Sequence, residues 1–327
     1  MHKFSSMLAL LGALMMAPPI CADYEVINIG TILDRQNCDG RPGNINDHGQ
    51  VVAEAYNTFF VDNAGFVWHN GHVTVLPGLP GSNLTASLAI NRHGHVVGAS
   101  GPDNDHLHVV LWTRSGPIDM GTLGGRLFGI AYSLNNHDDA VGTSRDLDGA
   151  LRRAVLWHHS RAIDLGPGFA YAINDDGQVA GFDIVANRAF LWEDGKRTYL
   201  SDGPSQANWL NSDCQVVGKA EIDGQFHAVL WDDDMIDLGT LGGATSEAQF
   251  ITDDGVILGT SKTENDDDHA FLWMDGAMID LNDLLPDNSG WTLLDARGMN
   301  TRGQITGTGL FHGDRRPYLL RPVRSPS

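Results

Sequence analysis

One phrase of this sequence occurs twice at distant positions, and its repetition restricts the fold more than any other feature. The segment LWTRSGPIDMGTLGG spans residues 111–125, and LWDDDMIDLGTLGG spans residues 230–243. Related phrases, each built on an apolar run that ends in Trp, recur about every forty residues. The run ends at Trp68, Trp112, Trp157, Trp192, Trp231 and Trp273, and at Leu320 in a seventh copy. A unit of this length fits one four-stranded blade of a β-propeller.

Each repeat divides into four short segments with strand character. In the unit from Glu247 to Leu281, the runs EAQFI, VILGTS, HAFLW and AMIDL are separated by turns rich in Asp and Gly. We name these predicted strands a, b, c and d in chain order. Strand c is apolar at every position, so it must be covered on both sides, as it is when a blade packs between two neighbours.

The two ends of the chain carry complementary parts of one blade. The segment Tyr24 to Gly30 is predicted as a lone strand d, and the segment Arg316 to Leu320 as a lone strand c. Their pairing closes the ring and leaves no incomplete blade. The predicted fold class is therefore all-β: a seven-bladed β-propeller closed by an N-terminal outer strand that pairs in the C-terminal blade. Residues 23–321 form this single domain, and residues 322–327 form a C-terminal tail.

The first 22 residues differ from the repeats. Lys3 gives a basic start, an apolar stretch runs from Met7 to Ala17, and a small residue stands at Ala22. This pattern predicts a secretory signal peptide that is too short to anchor the chain across a bilayer. We therefore expect a periplasmic or secreted protein with no membrane span.

The overall charge and the cysteine content narrow the partners and the source of stability. The chain has a formal net charge of −20 at pH 7, so nucleic acid and anionic membrane are poor partners. Cys38 and Cys214 are too few for a disulfide-built fold, and stability must come from packing. We expect a monomer that binds a protein or a carbohydrate.

The phrases HAFLWMDGAMIDL, IDLGTLGG and AINDDGQVAG resemble the repeats of the bacterial HAF-type extracellular repeat proteins, over nearly all of residues 24 to 321. The resemblance implies an exported repeat protein and does not specify an activity. Two departures weaken the idea of seven equivalent sites. Ala64 stands at the His position of the first blade, and LGPG replaces LGTLGG in the fourth.

The predicted topology sorts every connection onto one of two faces. The b–c and d–a loops lie on one side, the loop face, and the a–b and c–d turns lie on the other, the turn face. The acidic b–c loops offer carboxylates that suit Ca²⁺ or a cationic ligand: Asp103, Asp105, Asp146, Asp148, Asp266, Asp267 and Asp268. No loop has the Asp-x-Asp-x-Asp-Gly ladder with its distal Glu, so a solvated acidic rim is the favoured alternative.

Six blades place a cation or an imidazole at the start of strand c: His108, Arg153, Arg188, His227, His269 and Arg316. One hypothesis is a ring that binds a ligand, with His108, His227 and His269 beside the loop carboxylates. The alternative, which repeated positions favour, is that each side chain hydrogen-bonds its own blade. Asp119, Asp164, Asp237 and Asp280 of strand d are likewise expected to be structural.

The turn face is uneven, with histidines concentrated in blades one to three and aspartates in blades four to six. His69, His72, His93 and His95 are candidate ligands for Zn²⁺ or Cu²⁺, or elements of a patch that protonates near pH 6. Exposed turn histidines are common, and these show no strict ligand spacing, so no cofactor is the favoured expectation.

The sequence contains no Gly-x-Ser-x-Gly elbow, no His-Glu-x-x-His helix and no phosphate loop. We therefore predict a non-catalytic binding or interaction scaffold whose ligand meets the loop face. An extracellular polysaccharide hydrolase or lyase stays open, because distant blades can bring carboxylates together at the channel mouth. A metal- or pH-responsive periplasmic protein is the second alternative.

Overall fold

A computed structural model of the protein describes residues 24–30, 42–55, 64–125, 127–145, 151–159 and 161–323. Within these ranges the chain forms seven antiparallel four-stranded sheets, together with one short 3-10 turn at Leu281–Leu284. The predicted signal peptide lies outside the described residues. Among those described, no helix is long and apolar enough to span a membrane.

The first four blades follow the predicted a-b-c-d order. Blade 1 contains β2 (Pro42–Ile45), β3 (Val51–Ala55), β4 (Ala64–His69) and β5 (His72–Val75). Blade 2 contains β6 (Leu84–Ile90), β7 (Val96–Gly101), β8 (His108–Thr113) and β9 (Gly116–Gly121). Blade 3 contains β10 (Gly129–Leu134), β11 (Ala140–Arg145), β12 (Arg152–His158) and β13 (Arg161–Pro167). Blade 4 contains β14 (Phe169–Ile173), β15 (Val179–Asp183), β16 (Arg188–Glu193) and β17 (Lys196–Tyr199).

The last three blades complete the ring. Blade 5 contains β18 (Ser205–Leu210), β19 (Val216–Ile222), β20 (Gln225–Asp232) and β21 (Asp234–Gly239). Blade 6 contains β22 (Gly242–Ile251), β23 (Ile257–Thr263), β24 (Asp268–Met274) and β25 (Ala277–Asp280). Blade 7 contains β26 (Trp291–Met299), β27 (Ile305–Phe311), β28 (Asp314–Pro322) and the N-terminal β1 (Tyr24–Asn28).

The closure of the ring is as predicted. Strand β1 pairs antiparallel with β28, from Tyr24 opposite Pro322 to Asn28 opposite Tyr318. The last blade therefore combines three C-terminal strands with one N-terminal strand, and its strand d is supplied from the other end of the chain. The predicted seven-bladed β-propeller is confirmed.

The core lies between blades, which explains why strand c is apolar throughout. One cluster joins Val109 and Met120 of blade 2 to Val155 and Trp157 of blade 3, and Trp157 is fully buried. Each sheet thus buries both faces against its neighbours, and burial of such apolar surface is the main stabilising contribution.

A belt of asparagine side chains ties the blades together on the turn face. The Asn of each IN-x-x-G phrase donates from Nδ2 to the backbone carbonyl of the matching residue in the next blade. These bonds, of 3.0 to 3.2 Å, run from Asn46 to Asn91, Asn91 to Asn135, Asn135 to Asn174, Asn174 to Asn211, Asn211 to Thr252, and Asn300 to Asn46. Blade 6 has Thr252 in place of Asn, so the belt has six bonds for seven blades.

The inner strand of every blade shifts its register against strand b. In blade 1 the shift lies between Pro42 and Ile45. In blades 2 to 7 it is a β-bulge of one residue, at Leu88, Tyr132, Tyr171, Asn208, Gln249 and Arg297. The opposing strand b has a glycine beside the bulge, as in the VVG phrases. A Cβ on Gly142 would overlap the carbonyl oxygen of Ile130, and one on Gly218 would overlap that of Gln206. The glycine is therefore required because the bulged backbone lies directly against it.

Candidate functional site: the central channel

The a strands surround one common cavity. Each a strand contacts the a strand of both neighbouring blades around the ring, and residues from all seven a strands line a cavity of about 720 Å³. Bulges re-aim side chains, and in blades 2 to 7 the bulged residue faces this cavity. The lining ring consists of Asn44, Leu88, Tyr132, Tyr171, Asn208, Gln249 and Arg297.

The cavity opens toward the loop face. A second group of lining residues, Ala86, Ile130, Gln206 and Glu247, lies two positions earlier on the a strands, farther from the asparagine belt. Asn104 and Leu107, from the b–c loop of blade 2, also line it. The cavity is therefore on the loop-face side of the belt.

Blades 3 and 4 give the channel an aromatic wall. The rings of Phe169 and Tyr171 are parallel, with an interplanar angle of 2° and centroids 5.6 Å apart. Tyr132 of blade 3 lies beside Tyr171 at 5.6 Å, tilted by 43°. Burial raises the pKa of the Tyr171 phenol to about 12, and Glu247 adds to the effect. Burial also raises the pKa of Tyr132, with Tyr171 contributing, so both phenols are neutral at physiological pH.

Blades 5 and 6 form a polar wall built as a hydrogen-bond chain. Gln206 Nε2 donates to Asn208 Oδ1 at 2.7 Å, and Asn208 Nδ2 donates to Glu247 Oε1 at 2.8 Å. Lys219 Nζ donates to the other carboxylate oxygen of Glu247 at 2.9 Å. This chain fixes the Glu247 carboxylate in the channel wall beside the Lys219 ammonium group.

Blade 7 contributes a second balanced pair. Arg297 donates from Nε to Asp295 Oδ1 at 3.1 Å and from a terminal nitrogen to Oδ2 at 3.3 Å. Asp295 is 5% exposed and also accepts hydrogen bonds from the backbone nitrogen and the hydroxyl of Thr308. The guanidinium is thereby fixed at the channel wall by a buried carboxylate.

Several lining groups keep open hydrogen-bonding capacity. In the part of the chain that the structure describes, neither the Tyr132 nor the Tyr171 hydroxyl hydrogen-bonds another residue, and the Gln249 carboxamide makes no such bond either. The Gln206 carbonyl oxygen is likewise unused, since Gln206 acts as a donor toward Asn208. The channel thus combines an apolar ring surface with donors and acceptors available to a ligand.

The strand-c cations predicted as ligand-binding residues bond within their own blades. His108 Nδ1 lies 2.9 Å from Asp119, and His227 Nδ1 lies 3.0 Å from Asp237. His269 pairs with Asp280 and Arg153 with Asp164 in the same way. The blade-internal alternative is therefore confirmed for these positions, and the Asp of each DLG phrase is structural as expected. A role for His108, His227 and His269 in ligand binding stays a prediction.

The predicted carboxylate sites on the loop face are spread around the rim. Asp103 accepts a hydrogen bond from His106 at 2.7 Å, which, as the largest cause, lowers the pKa of Asp103. Asp105, in the b–c loop of blade 2, pairs with Arg145 at 3.0 Å. Asp267 lies in the b–c loop of blade 6, between β23 and β24. Asp146 and Asp148 lie outside the described residues. Binding of Ca²⁺ by these loops stays a prediction.

The turn-face histidines are distributed over two blades. His69 Nε2 lies 3.1 Å from the carbonyl oxygen of His48, and His95 Nδ1 lies 2.9 Å from Asp138 of the next blade. The rings of His93 and His95 are 6.1 Å apart between centroids, and His72 is exposed at the c–d turn of blade 1. Across the described ranges, no group of three or more His, Cys, Asp or Glu side chains is arranged to hold a metal ion.

The residues that line the channel are not among those predicted from the sequence. A signal for them does exist, because the bulge position stands three residues before the belt Asn and is occupied by Leu, Tyr, Tyr, Asn, Gln and Arg in successive blades. The positions on either side are mostly small or apolar and recur from blade to blade. A variable position inside a regular repeat is one that blade packing does not fix.

Comparisons with known proteins agree with this architecture. No protein-family model matches the sequence, and no curated protein is matched by it. Among solved structures, the uncomplexed acylaminoacyl peptidase of Pyrococcus horikoshii is similar with a TM-score of 0.53 at 11% identity, over 90% of this chain and 54% of that one. The β-propeller domain of the Trilobed protease from Pyrococcus furiosus gives a TM-score of 0.49 at 12% identity, over 76% of this chain and 84% of that one.

At such low identities the similarity concerns the fold alone, and the chain spans about half the length of the Pyrococcus horikoshii peptidase. Fold and site together define the class: an all-β, seven-bladed β-propeller with a central channel that opens at the loop face.

Proposed function

We propose that this protein is a non-catalytic binding protein that takes a small polar ligand into its central channel from the loop face. The convergence of the bulge positions carries the proposal. They do not serve the packing of their own blades, yet they meet in a cavity of about 720 Å³, a size typical of ligand pockets. The cavity presents aromatic rings and open hydrogen-bonding groups together, as such pockets do.

The chemistry of the channel carboxylates supports binding over hydrolysis. A glycosidase needs one carboxyl group that stays protonated to act as the general acid. Glu247 accepts bonds from Lys219 and Asn208, and Asp295 accepts bonds from Arg297 and Thr308. Both carboxylates are thus engaged by donors of the protein itself, and such an arrangement suits a fixed channel wall better than proton transfer to a leaving group.

We also propose that the protein is exported after removal of residues 1–22, and that it belongs with the HAF-type extracellular repeat proteins. The N-terminal pattern around Lys3 and the apolar stretch after it support export. The first described strand begins at Tyr24, directly after the proposed cleavage point. A binding protein in the periplasm or outside the cell would meet polar nutrients or cell-wall fragments.

A thermal-shift screen tests the binding function. The purified protein is heated with neutral saccharides, amino acids and short peptides, nucleosides, and carboxylic acids. A compound present at 100 times its Kd stabilises the fold by about 2.7 kcal/mol, which raises the melting temperature of a domain of this size by about 4 °C.

Two variants locate the binding. Gln249→Leu removes an amide that makes no internal hydrogen bond, so it should fold normally and lose most of the shift. Val185→Ala changes a side chain that is 68% exposed on the same face and outside the channel, so its shift should equal that of wild type. The proposal fails when no compound class raises the melting temperature, or when Gln249→Leu responds like wild type to every compound that does.

A further inference from the structure

The flat aromatic surface of the channel indicates what kind of ligand it accepts. Phe169 and Tyr171 stand two residues apart on β14, and their rings are parallel. The two rings stack on each other, so Phe169 supports the Tyr171 ring, and Tyr171 is the member of the pair that lines the cavity with its weakly negative π surface. Tyr132 closes one side of this surface. Such a surface attracts a flat ligand face that carries slightly positive C–H groups.

The polar wall of blades 5 and 6 favours a ligand with several hydroxyl groups. Gln249 has a free carboxamide with two donors and an acceptor, and Gln206 offers a free carbonyl oxygen. The Asn44 carbonyl is already used by the backbone of Ile90 at 2.9 Å, which leaves its amide as a donor. A ligand facing this wall must both donate and accept hydrogen bonds, and a hydroxyl group does both.

Glu247 and Arg297, two of the charged residues that line the channel, are each paired with an opposite charge of the protein, so a charged ligand gains little from either of them. Lys219 neutralises Glu247 at 2.9 Å, and Asp295 neutralises Arg297 at 3.1 Å. An anionic ligand would compete with Asp295 for Arg297, and a cationic ligand would compete with Lys219 for Glu247. Both competitions break a charge-assisted hydrogen bond that the protein already makes.

We infer that the channel binds a neutral saccharide, with the C–H face of a pyranose ring stacked on Tyr171 and its hydroxyl groups directed to Gln249 and Gln206. This inference rests on the proposed function and names the class of its ligand. A sugar ring unites one apolar face with a rim of hydroxyl groups, which is the combination that the two walls require. The cavity has room for a short oligosaccharide.

Isothermal titration of the purified protein tests the inference. The probes are methyl glycosides of glucose, galactose, mannose and N-acetylglucosamine, their β-linked oligosaccharides, and galacturonate as a charged counterpart of galactose. At least one neutral sugar should bind, and galacturonate should bind more weakly than galactose. Tyr171→Ala should weaken binding by about tenfold or more, since it removes the stacking surface. Tyr171→Phe keeps the ring and should stay within about threefold of wild type.

The outcomes separate this inference from the proposed function. Binding of a nucleoside or peptide, but of no saccharide, that Tyr171→Ala abolishes would overturn the saccharide inference and leave the channel as the site. Saccharide binding that survives both Tyr171→Ala and Gln249→Leu would overturn both. Equal losses in Tyr171→Phe and Tyr171→Ala would contradict ring stacking. Melting curves check that each variant folds, and Gln249→Leu carries the test alone when Tyr171→Ala does not fold.

Discussion

Replacement of one asparagine in the turn-face belt should measurably loosen the whole ring. Asn211 is 3% exposed, and its Nδ2 donates to the Thr252 carbonyl at 3.1 Å and to Gln215 at 2.8 Å. Its Oδ1 accepts from the backbone nitrogens of Asp213 at 3.1 Å and Gln215 at 2.9 Å. Asn211→Ala removes all four bonds and leaves buried backbone groups without these partners.

The cost follows from the number of bonds. Each of the four bonds is partly buried, and at somewhat less than about 1 kcal/mol for each of them Asn211→Ala should cost about 3 kcal/mol. The entropy of unfolding of a domain of about 300 residues is about 0.6 kcal/mol per degree, so this loss of stability lowers the melting temperature by about 5 °C. The measurement is differential scanning calorimetry of wild type and variant.

Two matched substitutions make the result decisive. Asn265→Ala truncates an exposed loop asparagine, and its melting temperature should not change. Thr252→Asn fills the one belt position without asparagine and should add one bond to the Asn300 carbonyl, raising the melting temperature by about 2 °C. Our account of the belt would be refuted by an Asn211→Ala variant that melts within about 1 °C of wild type, or by a Thr252→Asn variant that melts lower.

Three other perturbations test the bulge, the buried phenol and the polar cluster of blade 4. Gly142→Ala places a Cβ against the Ile130 carbonyl and should cost about 2 kcal/mol or more in denaturant unfolding, and a neutral result would contradict the tight bulge. The Tyr171 phenol has a pKa of about 12 in the folded protein, against 10.0 when unfolded. The folded state keeps this proton to higher pH than the unfolded state, so stability should fall as pH rises above 10. Tyr171→Phe should therefore lose less stability than wild type between about pH 9 and 11, as measured by denaturation midpoints. Burial opposes the ionisation of Asp183, yet bonds from Ala186, Tyr199 and Arg197 lower its pKa. The contribution of Asp183 to folding stability is therefore lost as pH falls below 3.8. Asp183→Asn should cost about 3 kcal/mol at pH 7 because it leaves Arg197 uncompensated, and it should reduce the loss of stability at acidic pH.

The fold was predictable because every blade must solve the same packing problem. Strand c lies between two sheets, so its apolar run recurs in each unit and marks the period, from Trp68 to Leu320. The pairing of β1 with β28 was predictable since each end of the chain carried the strand that the other lacked. Local turns were equally visible, because Gly177 and Gly255 of the a–b turns adopt the positive φ expected there.

The channel was not predictable from the pattern alone, because a bulge is a relation between two strands. Whether Tyr132 faces the channel depends on the one-residue shift between Ala131 and Ser133 against β11. The repeat pattern alone predicts a regular strand a and draws attention to polar residues in the loops. It also does not pair His108 with Asp119, eleven positions later, which the hairpin of β8 and β9 places side by side. The positions that repeat from blade to blade are those that blade packing requires, and the variable bulge positions are those that line the channel.

Fluorine NMR of the protein labelled with 3-fluorotyrosine tests the central claim, that ligand enters the channel, most directly. The chain has six tyrosines, and single Tyr→Phe variants assign their signals. On addition of the methyl glycoside or oligosaccharide that binds best in the titrations, the account predicts shifts for Tyr132 and Tyr171 and none for Tyr199, which lies on the outermost strand of blade 4. A shift of Tyr199 with the channel pair unchanged would place the ligand on the outer surface and contradict the account.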